Sequence, residues 1–96
     1  MPTMNELLDK RGEILRLAAK HGAHDVRLFG SVSRGEAMPG SDVDLLVRLD
    51  EDRSLLDHIA LMRDLEELLG CPVDVVSEEA LYSSIRDRVV SEAVRL

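Results

Sequence analysis

The sequence predicts an α/β fold, one compact layered unit of helices and three strands. Three observations carry that expectation. Val26–Phe29, Val43–Leu49 and Pro72–Val76 have the length and the branched, apolar character of strands. Stretches with helical spacing precede, separate and follow them. Glycines at 22, 30 and 70 stand where one kind of segment gives way to the next.

Thr3-Met4-Asn5-Glu6 has the pattern of a capping box, in which the hydroxyl and the carboxylate each satisfy a free amide donor. Leu7, Leu8, Arg11, Ile14, Leu15 and Ala18 continue at helical spacing, giving one helix from about residue 4 to 21 that stops at Gly22. A short strand, Val26–Phe29, runs into Gly30. Gly35, Pro39 and Gly40 make the stretch from Ser31 to Ser41 a turn-rich connection with room for one helical turn. Val43–Leu49 is a buried strand. After the polar break at 50–53, Ser54 caps a helix whose apolar face is Leu55, Ile59, Met62 and Leu69 and which ends at Gly70. Pro72 suits the first position of the third strand, where no ladder donor is lost. Ser77–Tyr82 reads as a turn with a short helical piece. Ile85, Val89, Ala93 and Leu96 are in register for a final helix from Ser84 to Leu96.

Composition removes several function classes. The chain has 96 residues, 45% of them apolar, enough for one domain with one core and one site. A net charge of −7 disfavours nonspecific binding to nucleic acid or an anionic membrane. Phe29 and Tyr82 are the only aromatics, too few for a single-strand stacking platform. The longest apolar run is the four residues from Ile59 to Met62, so no membrane span is expected. Cys71 is the sole cysteine and no signal pattern opens the chain, which makes a reducing cytoplasm the expected location.

The chemistry is concentrated in two stretches, Leu28–Glu36 and Ser41–Val47. Asp42 and Asp44 are two apart on a strand and so share a face. Two like charges at the mouth of an apolar strand call for a cation between them, and Mg²⁺ favours carboxylate oxygens together with substrate phosphates. Asp74 is the only acid inside the third strand. If that strand neighbours the second, Asp74 completes a three-carboxylate cluster. Gly30-Ser31 follows a strand, where glycine lets backbone amides approach a phosphate and the hydroxyl adds a donor. Arg34 is the one cation between Gly30 and Asp44. Each piece alone has a plainer meaning: a turn for Gly-Ser, a solvated strand end for the aspartate pair, a salt bridge or cap for Asp74, and a salt bridge to Glu36 for Arg34. Together they suit phosphoryl or nucleotidyl transfer, in which a protein mainly positions groups and neutralises charge.

Gly30-Ser31, ten intervening residues, then Asp42-Val43-Asp44 resembles the signature of the DNA polymerase beta-like nucleotidyltransferases. Ser33-Arg34-Gly35-Glu36, Ser41, Leu45-Leu46-Val47, Val73-Asp74-Val75-Val76 and the stretch from Ile85 to Ala93 resemble the smallest members, the minimal nucleotidyltransferase (MNT) antitoxins. The resemblance implies a small mixed β-sheet flanked by helices with a palm-like core. It implies that Asp42, Asp44 and Asp74 hold Mg²⁺ and carry catalysis, and that Gly30 and Ser31 grip the phosphates of ATP, to which Arg34 is added from its place in the chain. It further implies transfer of AMP to a tyrosine hydroxyl of a cognate HEPN-type toxin, a small helical ribonuclease, within a hetero-oligomer. Stoichiometric neutralisation of the toxin without catalysis is the competing reading, and transfer to a small molecule such as an aminoglycoside a weaker third.

The remaining residues carry less. His21, His24 and His58 are expected as exposed histidines, not metal ligands. Cys71 is expected to pack beside the third strand, and Glu66-Glu67 and Glu78-Glu79 to be solvated. Tyr82 fits a core edge or a partner contact equally well.

Overall fold

The strand segments set the layout. A computed structural model describes residues 4–30 and 43–96. The elements are α1 (Met4–Asp9), α2 (Arg11–Lys20), β1 (Ala23–Phe29), β2 (Val43–Leu49), α3 (Leu55–Leu69), β3 (Val73–Ser77), a 3-10 turn (Glu78–Ala80), α4 (Ser83–Glu92) and β4 (Val94–Arg95). Among the described residues the strands form one four-stranded mixed sheet in the order β3-β2-β1-β4. β1 runs antiparallel to both β2 and β4, and β2 runs parallel to β3. This is the mixed sheet with flanking helices that the sequence led us to expect.

The alternation of side chains along β2 and β3 separates two faces. Val43, Leu45 and Val47 of β2 and Val73 and Val75 of β3 turn to one face and are at most 3% exposed. There they join Leu7 of α1, Ile14 and Ala18 of α2, and Leu61 and Leu65 of α3 in one core cluster, with Cys71 packed at its margin. Asp44, Leu46 and Arg48 of β2 and Asp74 and Val76 of β3 turn to the other face. Burying the apolar stripe of α3 drives its docking, while Ser54 opens the helix by donating its amide to Asp57 Oδ2 at 3.4 Å. Gly70 closes α3 in the left-handed conformation, with φ of 68° and its amide bonded to the Glu66 carbonyl at 2.8 Å.

Three element expectations need correction. The first helix is interrupted at Lys10, whose ψ of 9° departs from helical values, just before Gly12, a poor helix former. The proposed Thr3 cap lies outside the described residues. The apolar face of α3 is rotated from the one expected: Leu61 and Leu65 are its buried residues, whereas Leu55 is 71% exposed. The last helix stops at Glu92, and Val94–Arg95 forms β4 on the edge of β1. Ala93, at ψ of 143°, turns the chain into the extended form. Leu96 is buried and donates its amide to the Val26 carbonyl at 3.2 Å. Pairing with the free β1 edge thus overrides helical spacing, and α4 has no fully buried residue. Among the described residues no helix is long and apolar enough to cross a membrane.

Candidate active site

Sheet register assembles the site. Phe29 of β1 is the partner of Asp44 on β2, and Asp44 is the partner of Asp74 on β3. Paired residues of neighbouring strands share a face, so Phe29, Asp44 and Asp74 form one row across three strands, with about 4.8 Å between strands. Asp44 is half-buried and Asp74 exposed at the edge strand. The parallel β2–β3 pairing therefore sets two carboxylates side by side at the N-terminal ends of their strands, where β1 also ends. Asp42 lies outside the described residues, as do Ser31 and Arg34 and the alternative Arg34–Glu36 pair. Asp44 and Asp74 are the members of the expected acid cluster that the structure describes.

Gly30 completes the described part. It follows β1 with φ of 75°, a conformation glycine adopts without steric cost. A Cβ built there would overlap the Asp44 carboxylate at Oδ2. The Asp44 side chain therefore occupies the space above the glycine backbone, bringing the carboxylate into direct contact with Gly30. A cradle of this kind suits a bound polyanion and its cation: oxygen donors from Asp44 and Asp74 on one side, a bare backbone on the other. Among the described residues, no group of three histidine, cysteine or acidic side chains converges as a metal site by itself. The donor chemistry of the two aspartates fits a hard divalent cation shared with substrate oxygens, the usual situation for Mg²⁺ at phosphates.

Two histidines and two glutamates, Glu66 and Glu78, depart from expectation. His21 is only 12% exposed at its side chain, and its Nε2–H donates to Asp64 Oδ2 at 2.7 Å, tying the end of α2 to α3. His58 Nε2–H donates to the Val75 carbonyl at 2.6 Å, and Glu66 Oε2 accepts the Val73 amide at 3.2 Å. His24 is exposed, as expected, beside Asp50 at 3.3 Å. No local sequence signal distinguishes His58 and Glu66 from solvated neighbours. Their role arises only once α3 lies along β3.

A second polar assembly occupies the far end of the same face. Arg27 Nη2 donates to Glu78 Oε2 at 2.9 Å, with both side chains largely buried. Arg48 lies 3.4 Å from Glu79 Oε1 and 3.8 Å from Glu78. The Ser77 hydroxyl donates to Glu79 Oε2 at 2.8 Å, and this bond, aided by Arg48, holds the Glu79 carboxyl below its ordinary range. A cavity of about 510 Å³ opens nearby, lined by His24, Arg48, Asp50, Glu51, Ser77 and Glu79 among others. It sits at the C-terminal ends of β2 and β3, away from Asp44 and Asp74, and His24 pairs there with Asp50 and Arg48 with Glu79.

Comparison with known proteins agrees with this layout. A family model described as a nucleotidyltransferase domain matches residues 12–96. The protein adenylyltransferase MntA of Thermococcus cleftensis is 45% identical over 78 residues, covering 81% of this chain and 79% of that protein. A solved structure described as a minimal nucleotidyltransferase superposes with a TM-score of 0.91 at 49% identity, covering 99% of this chain and 97% of the other. An MNT antitoxin, solved in complex with a tri-AMPylated HEPN toxin from Shewanella oneidensis, shares the fold at a TM-score of 0.69 and 20% identity, over 92% of this chain and 69% of that one.

Proposed function

The chain belongs to the nucleotidyltransferase-domain family, and on that premise we propose that it is a Mg²⁺-dependent protein adenylyltransferase acting as an antitoxin. It moves AMP from ATP to a hydroxyl, that of a tyrosine, on a cognate HEPN-type toxin. The observation that carries this reading is the Asp44–Asp74 register beside Gly30. The name of the Thermococcus relative and the AMPylated toxin in the Shewanella complex support the substrate class.

Each residue has a task in this reading. Asp42, Asp44 and Asp74 hold Mg²⁺, which, when bound, neutralises charge on the triphosphate and on the departing pyrophosphate. Asp74, the exposed member at the sheet edge, faces the incoming acceptor and takes its hydroxyl proton. Gly30 and Ser31 donate to phosphate oxygens, and Arg34 adds a positive charge beside them. The acceptor oxygen then bonds to the α-phosphorus as the bond to the pyrophosphate oxygen breaks. The nucleotidyltransferase domain match takes up residues 12–96, and in this reading the acceptor arrives on the folded surface of the toxin in a cytoplasmic hetero-oligomer. The acidic chain favours a basic protein over nucleic acid or membrane as that partner.

Intact-mass measurement tests the proposal. A cognate HEPN-type protein, incubated with this chain, ATP and Mg²⁺, gains the mass of one or more AMP groups. The gain disappears with EDTA and with the Asp42→Asn, Asp44→Asn double variant. No adduct with the native chain, or an adduct that survives both treatments, would overturn it. Full protection of cells by the double variant would instead support neutralisation by occupancy alone.

A further inference from the structure

We infer that His58 and Glu66 of α3 are positioning residues for Asp74, holding the edge strand that carries it; the inference rests on the catalytic role proposed for that aspartate. Among the described residues β3 has a strand neighbour on one side only, β2. Backbone groups alternate in direction along a strand, so those of Asp74 pair inward with β2 while those of Val73 and Val75 turn outward. The outward groups are the ones α3 engages. Glu66 Oε2 accepts the Val73 amide at 3.2 Å, and His58 Nε2–H donates to the Val75 carbonyl at 2.6 Å. The residues immediately before and after Asp74 are thus fastened to a helix, and Asp74 is fastened to β2 between them.

This arrangement answers a specific mechanical need. An edge strand with unpaired outer groups frays or recruits a foreign strand. A carboxylate that must meet a cation shared with Asp44 tolerates displacements of only a fraction of an ångström. The two α3 side chains stand eight residues apart, just over two helical turns, so they reach the strand from one face of the helix. They also explain two residues that composition alone would leave in solvent. The phosphate side of the site, built by β1 and β2, does not depend on this clamp. Its loss should therefore slow the chemical step while leaving ATP binding nearly intact.

A double-mutant cycle in the full chain, with ATP, Mg²⁺ and the cognate HEPN-type protein, tests the inference. His58→Ala and Glu66→Ala should each lower kcat about tenfold with KM for ATP changed less than about twofold, and Glu66→Gln, which keeps an acceptor oxygen, should restore most of the rate. In the Asp74→Asn background the same substitutions should cost less than about twofold, because the group they position has been removed. Independently of activity, Glu66→Ala should speed hydrogen exchange at the Val73 amide in the chain alone. A full tenfold loss persisting in the Asp74→Asn background, or unchanged kcat in both single variants, overturns the inference. Should His58→Ala melt below the assay temperature, the Glu66 arm decides it. An unchanged rate in Asp74→Asn alone would instead remove the catalytic role of Asp74, while the exchange measurement still reports whether the clamp exists.

Discussion

The Gly30 backbone and the Asp44 carboxylate interlock, so that a single methyl group at residue 30 would overlap Asp44 Oδ2. Two costs follow for Gly30→Ala. The φ of 75° becomes strained for an L side chain, at about 1–2 kcal/mol. The new methyl also displaces the end of a short side chain, which yields more readily than backbone. The variant should therefore stay folded, with a modest loss in urea stability, while AMP transfer falls about 100-fold because Asp44 has been turned. Wild-type transfer by a folded Gly30→Ala protein would show that the contact is incidental.

The two kinds of leucine on α3 give a second, purely structural prediction. Leu61 is fully buried between the helix layer and the sheet, whereas Leu55 and Leu56 are 71% and 76% exposed. Leu61→Ala should cost about 2–5 kcal/mol, combining lost transfer energy with a residual cavity. Leu55→Ser and Leu56→Ser should change stability by no more than about 0.5 kcal/mol. Chemical denaturation of the three variants separates the two classes, and a large loss at Leu55 would contradict the packing described.

These contrasts mark what was legible in the sequence. β2 was readable to the residue, because five of the seven residues of Val43–Leu49 are branched and apolar and acids stand at 42 and 50 on either side. α3 was readable in extent, from Ser54 to Gly70, but not in rotation. Leu55 and Leu56 satisfy the helical pattern as well as Leu61 and Leu65 do, and only the position of the sheet decides between them. β4 was hidden for the same reason, since Leu96 fits a helical stripe until the β1 edge offers it a carbonyl at Val26. At the site, the pairing of Asp44 with Asp74 depended on a single condition, that β3 neighbour β2 in parallel. His58 and Glu66 carry no local signature, because their partners are backbone atoms of a strand that follows later in the chain.

Asp74→Asn should separate stability from function. Asp74 stands in register with Asp44, and like charges directly opposite on neighbouring strands destabilise a sheet. With EDTA present, removing the Asp74 charge should leave folding stability unchanged or slightly higher, by no more than about 0.5 kcal/mol. AMP transfer should fall at least about 100-fold, and the rise in Tm that Mg²⁺ with a non-hydrolysable ATP analogue gives the native chain should shrink. Thermal melts with and without ligand check all three. A variant that loses several kcal/mol in EDTA would mean that Asp74 is a structural acid.

The last prediction concerns the far end of the sheet and has a definite sign in pH. The Ser77 hydroxyl donates to Glu79 Oε2 at 2.8 Å, and Arg48 stands 3.4 Å from the other oxygen, so the carboxylate form is favoured and Glu79 titrates below its ordinary value of 4.5. A carboxyl group whose pKa is lower in the folded chain contributes stability above its unfolded pKa, and that contribution disappears as pH falls through the folded value. Glu79 is about half exposed, which keeps the contribution small. Ser77→Ala removes the largest cause and leaves the backbone and Arg48 contacts, so the Glu79 midpoint should move up. Carbon-detected NMR titration of the Glu79 carboxyl in the two proteins measures the shift. A midpoint that does not move in Ser77→Ala would leave the depression to the Glu79 backbone amide and Arg48, and Arg48→Gln would then separate the two.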